Sequence, residues 1–361
     1  MNLRIVGPTP LPPAVRDALA RPMINHRGPE FAAMQTRIVN SLKQYFQTAH
    51  DILLFTCSGT GGLEAAVVNL LSPGDTVVSV SIGVFGDRFA EIAELFGAQV
   101  IRLRFPWGSA ADADVLRAKL GELENVRAVL ITHNETSTAT TNPLQELARV
   151  VRENSDALLV VDAISSLGAI NLPVDEWGVD VAVTGSQKVW MIPPGLAMLS
   201  VNSRAWEANA RAKMPRFYWD FKKMRDAIAK GQTAFTPGVN LYFALDTALD
   251  LMNAEGFENI RARHAQLAQH TRDGAQQRGF ELFADPAFAS NTVTALKTPQ
   301  GTDGKKWREI LRTEYDTVIA GGQKELTDKI VRIGHLGWVN AAELDACLDA
   351  MSAALPRAQR S

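Results

Sequence analysis

Short β-branched apolar runs alternate with helical patterns through the first two thirds of the chain. Thr76–Val80, Ala128–Thr132, Ala157–Val161, Asp180–Thr184 and Leu196–Leu199 read as strands. Several are apolar at consecutive positions, as strands covered on both sheet faces must be. Between them, Gly86–Phe96 and Leu144–Glu153 carry apolar residues at helical spacing, the second with Pro143 placed as a helix opener. Strand and helix in alternation predict an α/β fold with a mainly parallel, doubly wound sheet.

The texture changes after Asn253. Glu258–Arg278 reads as one long charged helix, followed by short strands at Thr292–Ala295 and Lys329–Ile333 and a last helix over Ala341–Leu355. This predicts three parts: an N-terminal arm over 1–15, a large domain over 16–253, and a smaller α+β domain over 254–361. No repeat, low-complexity tract or Gly/Ser/Pro-rich linker separates them, so a ligand crevice is expected where the two domains pack.

The chain has 361 residues, 46% hydrophobic and 21% charged, which suits a large core and excludes a disordered or rod-like protein. A net charge of −2 offers no basic field for nucleic acid, so no nucleic-acid partner is expected. Cys57 and Cys347 lie far apart, and the six histidines show neither an HExxH motif nor an i, i+4 pair, so neither a disulfide framework nor a metal site is expected. The N-terminus lacks a signal-peptide pattern, no run approaches a membrane span, and the tail Ala358–Ser361 matches no sorting or lipid signal. The expected location is the cytoplasm, away from membranes.

In open α/β sheets ligands collect beyond the carboxyl ends of the strands, and four such ends are chemically unusual. Cys57-Ser58-Gly59-Thr60-Gly61-Gly62 is a glycine-rich turn opening a helix, where free N–H groups and two hydroxyls suit a phosphate; taken alone, an ordinary N-capped helix start explains it better. Neither a dinucleotide fingerprint nor a GxxxxGK[ST] loop fits. Asp162 closes an apolar strand, where a carboxylate is costly unless paired; it is either a loop cap or a partner for a cationic nitrogen. Lys188 is the only charge between Val181 and Ser203, and apolar surroundings lower an amine's pKa and make it a nucleophile able to form a Schiff base. Arg332 interrupts the apolar stretch Ile330–Gly334, where its planar fork is either a carboxylate anchor or half of a structural ion pair.

In this chain order, these parts resemble the class V aminotransferases of fold type I, and most closely the alanine:glyoxylate, serine:glyoxylate and serine:pyruvate group. The resemblance runs from Gly7-Pro8-Thr9-Pro10 through Asn25-His26-Arg27, Ser58-Gly59-Thr60-Gly61, Gly83-Val84-Phe85-Gly86, Val161-Asp162-Ala163, Gly185-Ser186-Gln187-Lys188 and Thr233–Pro237 to Val331-Arg332-Ile333-Gly334. It implies a mainly parallel sheet of the seven-stranded type between helices, and pyridoxal 5′-phosphate as cofactor. Lys188 would hold that cofactor and shuttle the proton, and Asp162 would keep its pyridine nitrogen protonated. Ser58, Gly59, Thr60 and Gln187 would bind the phosphate, with Thr236 reaching it from the neighbouring subunit of a homodimer whose active sites lie at the interface. Phe85 would stack on the ring, where many members carry tryptophan or tyrosine, and Thr136 would lie near the phenolic oxygen. The motif around Thr136 ends at Ala139, where members often carry glycine. Arg332 would grip the α-carboxylate shared by small amino acids and 2-oxo acids, with Pro8, His26 and Tyr218 near the substrate's entrance.

The reaction implied is ping-pong transfer of an amino group from alanine or serine to glyoxylate or pyruvate. Other outcomes on the same fold are a lyase, an aminotransferase for another donor such as aspartate, or a non-catalytic binding protein. A cysteine desulfurase would need a thiol on a mobile late loop, whereas Cys347 sits in the pattern of the final helix.

Overall fold

The structure, a computed structural model, describes residues 1–359; the last two residues of the Ala358–Ser361 tail lie outside them. Its strands are β1 (Asn2–Arg4), β2 (Asp51–Phe55), β3 (Thr76–Ser81), β4 (Gln99–Arg104), β5 (Val126–Thr132), β6 (Asn134–Glu135), β7 (Thr140–Thr141), β8 (Leu158–Asp162), β9 (Val181–Gly185), β10 (Ala197–Val201), β11 (Val293–Lys297), β12 (Thr317–Gly321) and β13 (Ile330–Gly334). Seven of them form one sheet in the order β2-β10-β9-β8-β5-β3-β4, parallel except for β10, which runs antiparallel to both neighbours. The five strands expected from the hydrophobic runs all fall in this sheet, each within two residues of its expected ends.

Because side chains alternate across a strand, the consecutive apolar runs split into two cores. Ile52, Leu54, Val78, Val80, Val129, Ile131, Leu159, Val161 and Met198 face one side, against the helices Pro29–Phe46, Leu144–Asn154 and Val239–Glu255. Leu53, Phe55, Val77, Leu130, Val160, Val183 and Leu199 face the other, against Gly59–Leu70 and Phe221–Ile228. This is the sandwich that demands strands apolar on both faces.

A second sheet has the order β1-β12-β13-β11, its core filled by Trp307, Leu311, Leu344, Leu348 and Met351 from the helices Gly304–Glu314 and Ala341–Ala354. The chain's first strand belongs to this sheet, pairing in parallel with β12 through Asn2↔Thr317 and Arg4↔Ile319. A three-residue strand whose partner lies more than 300 positions away leaves no local periodicity, which is why the arm reads as separate in the sequence.

The helix Gly59–Leu70 sits unusually close to the sheet. A Cβ on Gly62 would stand 2.7 Å from Val183 Cγ1 and 3.0 Å from Ala197 Cβ. Both neighbours are fully buried on adjacent strands and have nowhere to move. Gly62→Ala is therefore expected to destabilise the chain by about 1–3 kcal/mol, the usual cost of overpacking. Urea unfolding checks this; an unchanged midpoint would show that the helix can shift outward freely.

Candidate active site

Strand order reverses at β3: the chain steps outward to β4, then returns past β3 to β5, β8 and β9. Such a switch point opens a crevice at the carboxyl ends of the strands. The cavity found there is lined by Ser58, Gly59, Thr60, Leu63, Phe85, Arg88, Asn134, Thr136, Asp162, Ile164, Ser165, Gln187 and Lys188. Eight of the residues singled out in the sequence thus meet in one place.

Asp162 ends β8 and Lys188 follows β9, its neighbour in the sheet. Asp162 is only 4% exposed, and its Oδ1 accepts from the backbone N–H of Ile164 at 2.9 Å. Burial pushes its carboxyl up to about 7, against the opposing pull of the Lys188 and Arg88 cations; the charge of Glu135 adds to the rise. Burial also lowers the Lys188 amine to about 8, and the charges of Arg332 and Arg88 lower it further against the pull of Asp162. The amine donates to the carbonyl of Val6, and a Cβ on Gly7 would lie 2.8 Å from Lys188 Cδ. Gly7, at φ 97°, is thus kept without a side chain both by its backbone and by the lysine beside it.

Opposite them lies the start of the helix Gly59–Leu70. Ser58 takes the extended conformation of an N-cap yet makes no capping hydrogen bond with its side chain. Among the described residues, no acceptor takes the first-turn N–H groups of Gly59, Thr60 or Gly61. These orphan donors and the positive end of the helix dipole form an anion site. A Cβ on Gly59 would strike Ile164 Cδ1 at 2.5 Å, so the glycine keeps this wall of the cavity close-packed. Gln187 adds a buried Oε1 without a partner among the described residues.

Phe85 and Thr136 line the cavity, Phe85 carrying the Arg88 guanidinium 4.7 Å from its ring centroid. Ala139, φ 58°, takes the left-handed conformation that glycine adopts freely, so the Thr136 turn is kept despite the alanine. Arg332 stands behind Thr136 rather than on the cavity wall. Its Nη1 donates to the Thr136 carbonyl at 2.9 Å, and its Nε and Nη2 donate to the Gly321 carbonyl at 3.0 and 2.7 Å. Pro8 is exposed beside the lysine strap, and Thr236 is exposed away from this chain's own cavity wall.

Arg88, Asn134, Ile164 and Leu63 also line the site and carried no signal in the sequence. Arg88 sits within an ordinary amphipathic helix, and only the turn of Val84–Leu95 brings it inward. Asn134 holds the floor, donating to Ser165 Oγ at 2.8 Å and Thr292 Oγ1 at 2.9 Å.

The sequence matches the family model described as Aminotransferase class-V over residues 13–336. Among curated relatives, the "Soluble hydrogenase, small subunit" of Synechococcus sp. (strain PCC 6716) is 43% identical, the match covering 98% of this chain and 92% of that one. The L-aspartate–glyoxylate aminotransferase of Paracoccus denitrificans is 37% identical over 94% of this chain and 87% of that one. Among solved structures, the alanine–glyoxylate aminotransferase from Nostoc sp. superposes with a TM-score of 0.94 at 30% identity, covering 98% of this chain and 94% of that one.

The raised Asp162 carboxyl has a consequence for stability. Its ordinary value is 3.8 and its folded value about 7, so the folded chain binds this proton more tightly than the unfolded chain. The stability it contributes is complete below about pH 4 and is lost as pH rises through about 7. Asp162→Asn keeps the acceptor for Ile164 but has no such titration. In protein dialysed free of ligand, the variant's stability relative to the native chain should rise between about pH 4 and 7, by on the order of 2–4 kcal/mol, and then level off. Unfolding midpoints across this range test it; parallel curves would contradict the burial argument.

Proposed function

The chain belongs to the class V aminotransferase family and is an aminotransferase; from that premise we propose that it binds pyridoxal 5′-phosphate and moves an amino group from alanine or serine to glyoxylate or pyruvate by a ping-pong mechanism. The observation that carries this reading is the meeting of Lys188 and Asp162, at the ends of adjacent strands, with the orphan N–H groups of Gly59 and Thr60 across one cavity. An aldehyde-reactive amine, a carboxylate for a ring nitrogen and an anion cradle are the donor set this cofactor requires. When bound, the cofactor supplies the electron sink for the pair released at the substrate's α-carbon.

The protein's own residues divide the remaining work. Ser58, Thr60, Gln187 and the helix N-terminus would hold the phosphate, with Thr236 supplied by a second copy of the chain. Phe85 would pack against the ring, Thr136 would lie toward the phenolic oxygen, and Asp162 in its anionic form would hold the proton on the ring nitrogen. Lys188 would be the amine that holds the aldehyde and the base that carries the proton from the substrate's α-carbon. A folded-state pKa of about 8 keeps part of this amine neutral, and hence competent, at physiological pH. Arg332, with Pro8 at the entrance, would take the substrate's α-carboxylate, which requires one of its guanidinium edges to turn from the Gly321 carbonyl.

A homodimer follows from the same assignment. Beside Thr236, Phe217 is 71% exposed, its ring 5.5 Å from Phe235, which stacks on Tyr218 at 5.1 Å; such a surface aromatic group suits a subunit interface. The parts 1–15, 16–253 and 254–361 serve as arm, cofactor-binding and substrate-gripping regions. Both cysteines are unpaired thiols, in keeping with the cytoplasm, and no helix among the described residues is long and apolar enough to cross a membrane. Cys57 and Cys347 pack against separate cores, and burial pushes both thiols up to about 12. Aspartate as amino donor is a second reading, favoured by the Paracoccus relative.

Protein reconstituted with pyridoxal phosphate should convert alanine or serine with glyoxylate or pyruvate, and an aspartate arm separates the second reading. Lys188→Ala is expected to lose the covalent cofactor absorbance and at least about 10²–10⁴-fold in rate. Unchanged turnover in that variant, or no transfer from any of the three donors by the native chain, would overturn the assignment. Light scattering should show a dimer, and Thr236→Ala should weaken cofactor binding; a fully active monomer would contradict the interface.

A further inference from the structure

The helix Val84–Leu95, which carries Phe85 and Arg88 into the cavity, has no side chain of its own to cap it, because its N-cap is Gly83. All three of its first-turn amides are nonetheless satisfied, by residues 49 to 53 positions on. Ser137 Oγ takes the N–H of Val84 at 3.0 Å, and Glu135 Oε2 takes those of Phe85 and Gly86 at 2.9 and 3.0 Å. The other oxygen, Glu135 Oε1, accepts from Ser137 N at 3.1 Å and Ser137 Oγ at 2.5 Å. Glu135 is 0% exposed and is not part of the cavity wall, so both carboxylate oxygens are used inside the protein.

Gly83 is what lets this carboxylate in. A Cβ there would stand 2.5 Å from Glu135 Cγ and from Ser137 Oγ. The position that would ordinarily supply a capping side chain is thus given up to admit one from another strand end. Burying a carboxylate is costly, and four donors plus a helix N-terminus are what hold it there. An ordinary serine or aspartate at position 83 would cap the helix without that cost, but it would not connect the helix to the turn after β5.

That connection reaches two walls of the site. Thr136, between Glu135 and Ser137, lines the cavity with Phe85, and its carbonyl accepts from Arg332. Resting on the function proposed above, we propose that Glu135 is a positioning residue: it fixes the seat of Phe85 against the cofactor ring and, through Thr136, the distance from that seat to the Arg332 guanidinium. It touches neither cofactor nor substrate and exchanges no proton in the reaction.

The test uses Glu135→Ala, Glu135→Gln, Phe85→Ala and the double variant Glu135→Ala/Phe85→Ala. Glutamine can keep its carbonyl on the Phe85 and Gly86 amides and turn its NH₂ to Ser137 Oγ, losing only the Ser137 N–H bond, so it should act as a partial rescue. Glu135→Ala is expected to bind pyridoxal phosphate roughly tenfold more weakly, the scale of a lost charge-assisted hydrogen bond, and to change the circular dichroism of the bound chromophore. Glu135→Gln should recover to within about threefold. If Glu135 acts through Phe85, the double variant should bind cofactor no worse than Phe85→Ala alone. Additive losses, or a lowered melting temperature with unchanged chromophore dichroism and affinity, would overturn the proposal. Should Glu135→Ala fail to fold, Ser137→Ala removes the Val84 contact and the hydroxyl bond to Oε1, leaving the backbone N–H bond, and carries the same cycle with Phe85→Ala. Amide exchange at Val84–Gly86 in ligand-free protein gives a readout independent of the cofactor: faster exchange in the Glu135 variants is expected, and unchanged exchange would overturn the seat itself. A native chain that binds no pyridoxal phosphate would refute the proposed function while leaving that readout intact.

Discussion

The site depends on holding an acid and an amine at neighbouring strand ends inside a layer that is apolar on both faces. Desolvation drives Asp162 toward its neutral form and Lys188 toward its neutral form as well; each charge supports the other, while the Arg88 cation favours the Asp162 anion and opposes the charged form of Lys188. That tension is chemically useful. An amine lowered to about 8 is more nucleophilic, and an acid raised to about 7 gains from any further cation brought beside it. Neither residue would have this character on a surface loop. The parallel sheet supplies the burial, and the reversal of strand order at β3 supplies the opening.

Close approach is the second constraint. Around the cavity, glycine serves space more often than dihedral freedom: Gly59 gives way to Ile164, Gly62 to Val183, and Gly83 to Glu135. Each omitted side chain brings two elements nearer than ordinary packing allows. The Gly59 and Gly62 contacts press the helix Gly59–Leu70 onto strand β9 and the Asp162 loop, while Gly83 brings the helix that carries Phe85 against Glu135. The cavity walls are therefore fixed from behind by core contacts, not by the ligand they receive.

Much of this was legible in the sequence, for a physical reason. Strands buried on both faces must be continuously apolar, so β3, β5, β8, β9 and β10 announced themselves, and a charge interrupting or ending such a run stood out as Asp162, Lys188 and Arg332 did. Most strands that escaped notice lie at sheet edges or are very short; β12, inside the second sheet, is the exception. In β4, Arg102 and Arg104 share a half-exposed edge strand with Val100 and Leu103; β2 is a leucine-rich run that reads as helix as readily as strand. Glu135 and Arg88 could not be read as special, because each is a common residue in a common setting until the fold supplies its neighbours. The position of Arg332 shows the reverse: its identity was suggested by the strand pattern, but its attachment to the Thr136 and Gly321 carbonyls was not.

The amine and the guanidinium sit on different sheets, so something must set the distance between them. Two spans do so. On one side, β1 pairs with β12 of the Arg332 sheet, Gly334 lets the Ile5 carbonyl pass where a Cβ would lie only 2.1 Å away, and Val6 then accepts from the Lys188 amine. Thr9 completes this strap, donating from its N–H to the Gln187 carbonyl at 3.2 Å and from its hydroxyl to the Lys188 carbonyl at 3.1 Å. On the other side, the Thr136 carbonyl receives Arg332 directly while its own segment is locked to the Phe85 helix by Glu135. In the function proposed above, the groups that would meet substrate, Arg332 and Lys188, are spaced by these backbone contacts. The first nine residues form one side of the frame in which the two charges face each other, and the Val6 carbonyl is the contact the amine must leave before it can act.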